Sequence, residues 1–111
     1  MWIFNIDGFF SVVEDRINKN IVVIRGRYKE DIIKISKKIH GKVKAWKTPE
    51  ADYPYRTRCM KNQWANYIWK EALNIDYDNF KACVDPIIGL SRTLKYHEVW
   101  SVMRQDDTIF S

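Results

Sequence analysis

The chain has 111 residues and a mass of 13.3 kDa, with 46% hydrophobic, 14% aromatic and 30% charged residues and only 4 Gly and 3 Pro. This balance predicts one globular domain over residues 1–111 and excludes disordered, collagen-like and low-complexity chains. No apolar run approaches the roughly 20 residues of a membrane span, and MWIFNIDGFF lacks a signal-peptide pattern. We therefore expect a cytoplasmic protein without membrane contact, in which Cys59 and Cys83 are free thiols.

Positive charge is concentrated in one stretch of the chain. The formal net charge is +5, yet residues 25–47 alone hold nine lysines and arginines against Glu30 and Asp31, a local excess of +7. Such a stretch attracts nucleic acid, nucleotides or an acidic protein patch without base specificity. The alternative is that lysines such as Lys34 and Lys37 only solvate an exposed helix.

The first half of the chain predicts three strands and a helix. The strands are rich in apolar and β-branched residues and cover residues 2–6, 9–14 and 21–28. Asp7-Gly8, a dipeptide favoured in tight hairpin turns, separates the first two strands. Three isoleucines at helical spacing predict a helix over residues 29–39, and Gly41 follows as a stop signal.

The second half predicts a further hairpin and three helices. The hairpin consists of residues 42–47 and a strand from Pro54 to Met60. The helices cover residues 62–73, a short segment capped by Asp76 or Asp78 and ended by Pro86, and residues 91–104. Residues 105–111 are expected to form a frayed tail.

The resulting element order is β-β-β-α-β-β-α-α-α. Residues 9–39 and 42–74 look like two β-β-α units that share one sheet. We therefore predict an α+β domain with an antiparallel sheet of four to five strands, helices on one face and two further C-terminal helices.

Strand alternation places arginines of two strands on one sheet face. Arg25 and Arg27 lie on one face of their strand, and Arg56 and Arg58 share a face of theirs. Because charged guanidinium groups cannot be buried unpaired, this face is predicted to be open to solvent. Four convergent arginines suit the oxygens of phosphate groups.

Other residues extend this predicted anion site. Lys42 and Lys44 are expected on a neighbouring strand, and aromatic platforms for bases are offered by Trp2, Trp46 and Tyr53. The alternative is that the arginines are only cross-strand partners of nearby acids, namely Glu14, Asp15 or Asp52.

No catalytic or metal-binding constellation stands out. His40 lies at a helix end, where an imidazolium complements the helix dipole. His97, inside the last helix, is a candidate general base with no assignable partner. Cysteines and histidines lack metal-ligand spacing and the glycines build no phosphate loop, so neither a metal nor a cofactor is expected. The stripe of Trp64, Tyr67 and Ile68 is predicted to be core.

Several co-ordered segments carry a resemblance: MWIF with GFFSVVED, VVIRGRY, ADYPYR, IDYDNFK and YHEVWSVM. Together they resemble a family of small single-domain proteins found in bacteria and on mobile or phage DNA, usually described only as hypothetical. The resemblance spans nearly the whole chain and brings no activity. It implies a shared site among polar and aromatic residues, namely Arg25, Arg27, Asp52, Tyr53, Arg56, Asp76, Tyr77, Asn79, Phe80, Lys81, Tyr96, His97 and Trp100.

Three functional hypotheses follow. The leading one is a non-enzymatic module for an anionic ligand, nucleic acid or a nucleotide, bound by Arg25, Arg27, Arg56, Arg58, Lys42, Lys44, Tyr53 and Lys81. The second is a phage or mobile-element counter-defence inhibitor or adaptor that docks on another protein through an exposed patch around Trp2, Trp46 or Trp69. The third is a small phosphodiesterase or nuclease with His97 as base and Arg56 or Lys81 stabilising the phosphorane.

Overall fold

The computed structural model describes residues 1–105 of the chain. Residue contacts divide the chain into two compact units, Met1–Asp76 and a second that begins at Tyr77. The single domain inferred from length stays a prediction, and the predicted tail, apart from Gln105, lies outside the described residues. No helix of the described part is long and apolar enough to cross a membrane.

The first unit is a five-stranded antiparallel sheet with two helices. Its elements in chain order are β1 (Trp2–Asn5), β2 (Gly8–Glu14), β3 (Ile21–Gly26), α1 (Lys29–His40), β4 (Trp46–Lys47), β5 (Tyr55–Met60) and α2 (Lys61–Leu73). The strand order is β1-β2-β3-β5-β4, and every neighbouring pair is antiparallel. The predicted α+β architecture with two β-β-α units is confirmed.

Strand alternation decides which sheet face the helices cover. Val22 and Ile24 on β3 and Cys59 on β5 are buried in the hydrophobic core, whereas their neighbours in sequence point away from it. The helices close this core from one side. Trp64 and Tyr67 of α2 are among its buried residues, as their helical spacing predicted.

The turn between β1 and β2 lies one residue earlier than predicted. Asn5 pairs with Gly8, so Ile6 and Asp7 form the turn. Position 8 requires glycine because its φ is 144° and a Cβ there would overlap the Asp31 carboxylate.

The predicted strand over residues 42–47 is only partly formed, because β4 covers its last two residues alone. Side-chain hydroxyls occupy the backbone groups that a longer strand would use. Ser36 accepts the Lys44 N–H at 2.7 Å and donates to the Lys42 carbonyl at 3.1 Å. Thr57 donates to the Lys44 carbonyl at 2.6 Å. Lys42 and Lys44 therefore precede β4, and their predicted strand position is wrong.

The second unit contains α3 (Phe80–Ile88) and α4 (Leu90–Arg104), the two predicted C-terminal helices. Asn79 caps α3 by accepting the Ala82 N–H at 3.1 Å, so the predicted aspartate caps are wrong. Pro86 lies inside α3 rather than ending it. Since proline removes one helical donor and only two residues follow it, the loss is confined to the last turn.

A buried polar cluster ties the β1–β2 turn to both helices of the first unit. Asp7 is 2% exposed, and its carboxylate accepts the Tyr67 hydroxyl at 2.5 Å and the Lys38 ammonium at 2.8 Å. Asn5 donates its amide to the Tyr67 hydroxyl at 2.8 Å, and Glu71 lies 3.3 Å from Lys38. No buried side-chain nitrogen or oxygen among residues 1–105 lacks a partner. The cluster is therefore a structural anchor.

Replacing Tyr67 with Phe tests this anchor. The change removes one hydroxyl and leaves Asp7 and Asn5 buried with one partner fewer each, so we expect the free energy of unfolding to fall by about 1–3 kcal/mol. Urea denaturation followed by circular dichroism measures the loss. Tyr55→Phe is the matched control, because the half-buried Tyr55 makes no hydroxyl hydrogen bond with the described residues. Equal losses in both variants would contradict the anchoring role.

Stability should also fall in alkaline solution. Burial raises the pKa of Cys59 from 9.0 to about 11, and burial together with Asp7 raises the pKa of Tyr67 above its ordinary 10.0. Partial desolvation of Lys38 opposes its charge, but Asp7 and Glu71 outweigh it and raise the Lys38 pKa above 10.5.

All three groups thus hold their protons more tightly when folded than when unfolded. Their stabilisation is complete below pH 9.0, the lowest of the three ordinary pKa values, and is lost as the pH rises through their folded values. Denaturant unfolding at pH 7 to 11 should show a falling free energy above about pH 9. A flat profile would contradict these assignments.

Candidate functional site

Two arginines stand directly opposite each other on the sheet face that α1 and α2 leave uncovered. In the β3–β5 register Arg25 faces Arg56, and Arg58 faces Val23. Opposed residues of antiparallel strands point to the same side, and the buried Ile24 and Thr57 point to the other. The alternation predicted for both strands is therefore observed. We call Arg25 and Arg56 the arginine pair.

Arg27 does not extend this row. β3 ends at Gly26, and the Arg27 Nη1 donates to the backbone carbonyl of Asp52 at 2.9 Å. Arg27 thus ties the end of β3 to the loop that precedes β5, and its predicted place on the strand face is wrong.

The side chains around the arginine pair hold it in place. Arg25 donates to the Ser11 hydroxyl at 2.7 Å and to the Ser11 carbonyl at 3.3 Å. Its guanidinium carbon lies 5.1 Å from the centre of the Tyr53 ring, within cation–π range. Arg56 donates from Nε to the Tyr53 carbonyl at 3.2 Å. Tyr53 therefore contacts both arginines, one through its ring and one through its backbone.

Aromatic rings continue the same surface across β2 and β1. Phe4 and Phe9 are stacked at 4.4 Å between centroids, and Phe9 meets Trp2 at 6.2 Å and Tyr53 at 6.1 Å edge-on. Trp2 is 71% exposed. We call these four residues the aromatic cluster. Phe4 and Phe9 were missed as site residues, although strand alternation marks them: Phe4 precedes the buried Asn5, and Phe9 precedes the buried Phe10.

Trp46 forms the other edge of the surface. It faces Arg56 in the β4–β5 register and is 43% exposed. It lines three open depressions, two of which also include an arginine of this face. One of these two, of about 640 Å³, extends past the arginine pair to turn residues 15–17. The other, of about 560 Å³, is lined with Trp46 by His40, Lys44 and Arg58. Lys44 thus contributes to the surface from outside the strand, whereas Lys42 lines neither depression.

No ion pair between an acid and Arg25, Arg56 or Arg58 occurs within residues 1–105. The ion pairs of this part of the chain involve Lys38 and Lys61, and Glu14 is the partner of Lys61 at 2.7 Å. Asp15 accepts the N–H groups of Asn18 at 2.9 Å and Ile17 at 3.1 Å. These two bonds lower the pKa of Asp15, with a smaller contribution from the charge of Arg58. Among the described residues, Glu14, Asp15 and Asp52 thus form no ion pair with an arginine, and the contacts between these groups are the charge of Arg58 acting on Asp15 and the Arg27 bond to the Asp52 carbonyl.

The second unit carries a separate cationic–aromatic cluster. Lys81 Nζ lies 3.2 Å from His97 Nδ1 and 4.1 Å from the centre of the Trp100 ring. His97 stacks on Trp100 at 5.2 Å, and the Arg104 guanidinium lies 5.1 Å from the same indole. Lys81 and His97, which the hydrolase hypothesis combined, are thus neighbours. Lys81 belongs to this unit, whereas the arginine pair belongs to the first.

The remaining candidates carry no additional chemistry. His40 lies at the end of α1, as predicted, with Nε2 at 2.9 Å from the Arg58 carbonyl. Cys59 and Cys83 are free, and burial raises the pKa of Cys59 to about 11, so its thiol is protonated near neutral pH. No group of three metal-ligating side chains occurs within residues 1–105.

Comparisons of the chain with protein-family models, with curated proteins and with solved structures return no match. The resemblance to small bacterial and phage-carried proteins therefore stays a prediction.

Arg56→Glu shows whether the arginine pair serves the fold. In the unsubstituted protein the directly opposed like charges destabilise the sheet. In the variant Arg25 faces a glutamate, and such a pair of opposite charges contributes about 0.2–1 kcal/mol. This gain offsets the loss of the hydrogen bond to the Tyr53 carbonyl. We expect the free energy of unfolding in urea to stay within about 1 kcal/mol of the unsubstituted protein. A loss of about 3 kcal/mol, typical of a truncated core residue, would show that the pair is structural.

Proposed function

We propose that the protein is a non-enzymatic module that binds nucleic acid or a nucleotide on the sheet face opposite α1 and α2. One observation carries the proposal: the arginine pair lies on the sheet face that α1 and α2 leave uncovered and has no carboxylate partner among residues 1–105. Two opposed guanidinium groups cost stability unless an anion lies between them. A bound phosphate supplies that anion and accepts hydrogen bonds from both.

The aromatic cluster and Trp46 support the proposal that the anion belongs to a nucleotide. Base rings stack on exposed aromatic side chains, and phosphates bind the cations beside them. On this face the Tyr53 ring contacts Arg25, and Trp46 stands opposite Arg56. Each arginine thus has an aromatic ring next to it, an arrangement that suits a base attached to its phosphate.

Charge reversal tests this proposal. We expect Arg25→Glu and Arg56→Glu each to weaken binding of a fluorescein-labelled uridine decanucleotide at least about tenfold, because charge-assisted hydrogen bonds contribute about 1.5–3 kcal/mol. Fluorescence anisotropy measures the affinity. Lys70→Glu is the matched control, since Lys70 is exposed on α2 and the change in net charge is the same.

Salt supplies a second readout of the same experiment. If Arg25, Arg56 and Arg58 each neutralise one phosphate of a single strand, the logarithm of the association constant falls against that of the salt concentration with a slope of about −2. If Lys70→Glu and Arg56→Glu weaken binding equally, the arginine acts only through the net charge of the protein and not through a site. Unchanged binding in both arginine variants would contradict the proposal.

A second candidate function rests on a different surface. Trp69 is 61% exposed on α2, and Leu73 and Ile75 beside it are also exposed. This apolar patch fits the alternative of an inhibitor or adaptor that docks on another protein. If the decanucleotide does not bind, a pull-down from a bacterial lysate distinguishes the two surfaces: loss of a captured protein in Trp69→Ala but not in Arg56→Glu assigns docking to the apolar patch on α2.

A further inference from the structure

We propose that the ligand is a single-stranded nucleic acid that crosses the strands, from Trp2, Phe4 and Phe9 of the aromatic cluster on β1 and β2, over the arginine pair, to Trp46 on β4. The inference rests on the proposed function and names its substrate class. It follows from the order of residue types across the sheet: aromatic side chains at both edges and cations on the two strands between them.

The width of the sheet sets the length of the ligand. Trp2 lies on β1 and Trp46 on β4, the two edge strands of the order β1-β2-β3-β5-β4. Four intervals of about 4.8 Å place these edges about 19 Å apart. One nucleotide cannot reach both edges. A single strand rises about 3.4 Å per nucleotide where its bases stack on one another and more where they stack on the protein, so about six nucleotides are enough to do so.

The surroundings of Trp46 favour a single strand over a duplex. Two cation-lined depressions share this indole, one with the arginine pair and one with Lys44 and Arg58. A base on the indole therefore has cations available for the phosphates before and after it. In a duplex the base faces are stacked on one another and cannot reach Trp46 or the aromatic cluster.

The acids beside this path leave the arginine pair free for phosphates. Glu14, Asp15 and Arg16 also line the larger depression. Glu14 is paired with Lys61, and the Asp15 carboxylate accepts backbone N–H groups, so neither forms an ion pair with the arginine pair. The positive charge of the arginine pair therefore stays available to the phosphates of the strand.

The experiment measures affinity by anisotropy against uridine strands of two, four, six and ten nucleotides and against a ten-pair RNA duplex. We expect affinity to rise steeply up to about six nucleotides and then to level off, with the duplex at least about tenfold weaker than the single strand. A thymidine series of the same lengths distinguishes RNA from DNA as the preferred strand.

Tryptophan variants locate the ends of the strand. We expect Trp2→Ala and Trp46→Ala each to weaken the hexanucleotide about tenfold and the dinucleotide by less, because a dinucleotide occupies only one edge. Trp46→Phe should restore most of the affinity, since it keeps an aromatic face. Trp69→Ala is the matched control, because this exposed indole lies on α2. Circular dichroism confirms that the variants are folded.

The outcomes separate this inference from the proposed function. Three results would overturn the single-strand path: an affinity that is independent of strand length, equal binding of the duplex, or unchanged binding in Trp46→Ala. If Arg56→Glu still weakens binding in these cases, the proposed site on the sheet face remains supported. If the unsubstituted protein binds none of the strands, the proposed function and the inference fail together.

Discussion

A strand turns its side chains alternately to the two faces of a sheet, and in the first unit both helices lie on the same face. This constraint sorts the residues of β3 and β5. Ile24 and Thr57 are buried under the helices, so their neighbours Arg25 and Arg56 have to lie on the other face. The arginine pair is a consequence of how the core is covered, and its chemistry is available because nothing in the first unit covers it.

The arrangement of charge on that face is unusual for a purely structural surface. Cross-strand neighbours are commonly of opposite charge, whereas here two arginines are opposed and the nearest acids are bound elsewhere. Ser11 and Tyr53 hold the pair in place but leave its charge uncompensated. Local features that cost stability and persist in a fold often serve a function, and the function that we propose for this one is anion binding.

The polar anchor around Asp7 has the opposite character. Every group in it is paired, and its members link the first hairpin to α1 and α2. Such a closed network specifies how the helices sit on the sheet and thus keeps them on one face. The residues of this anchor and those of the proposed binding site are therefore different. A variant of the arginine pair should change binding without changing the hydrogen bonds of the anchor.

Most of the fold could be predicted from the periodicity of apolar residues in the sequence. Alternation in β3 and β5 predicted the arginine face, because a period of two needs no knowledge of partners. The direct opposition of Arg25 and Arg56 was not predictable, since it depends on the register of strands separated by α1 and β4. The Asp7–Tyr67 bond joins residues 60 positions apart and leaves no local pattern. β4 is short because the hydroxyl groups of Ser36 and Thr57 bind the backbone of Lys44. Strand propensity, a property of the local sequence, does not predict such contacts.

The most direct test follows the five tryptophan indole N–H signals by nuclear magnetic resonance while a uridine hexanucleotide is added. If the ligand crosses the open face, the signals of Trp2 and Trp46 shift, together with the Nε–H signals of Arg25 and Arg56, and that of Trp69 stays in place. Shifts confined to Trp69 or Trp100 would place binding on another surface and contradict the assignment of the sheet face.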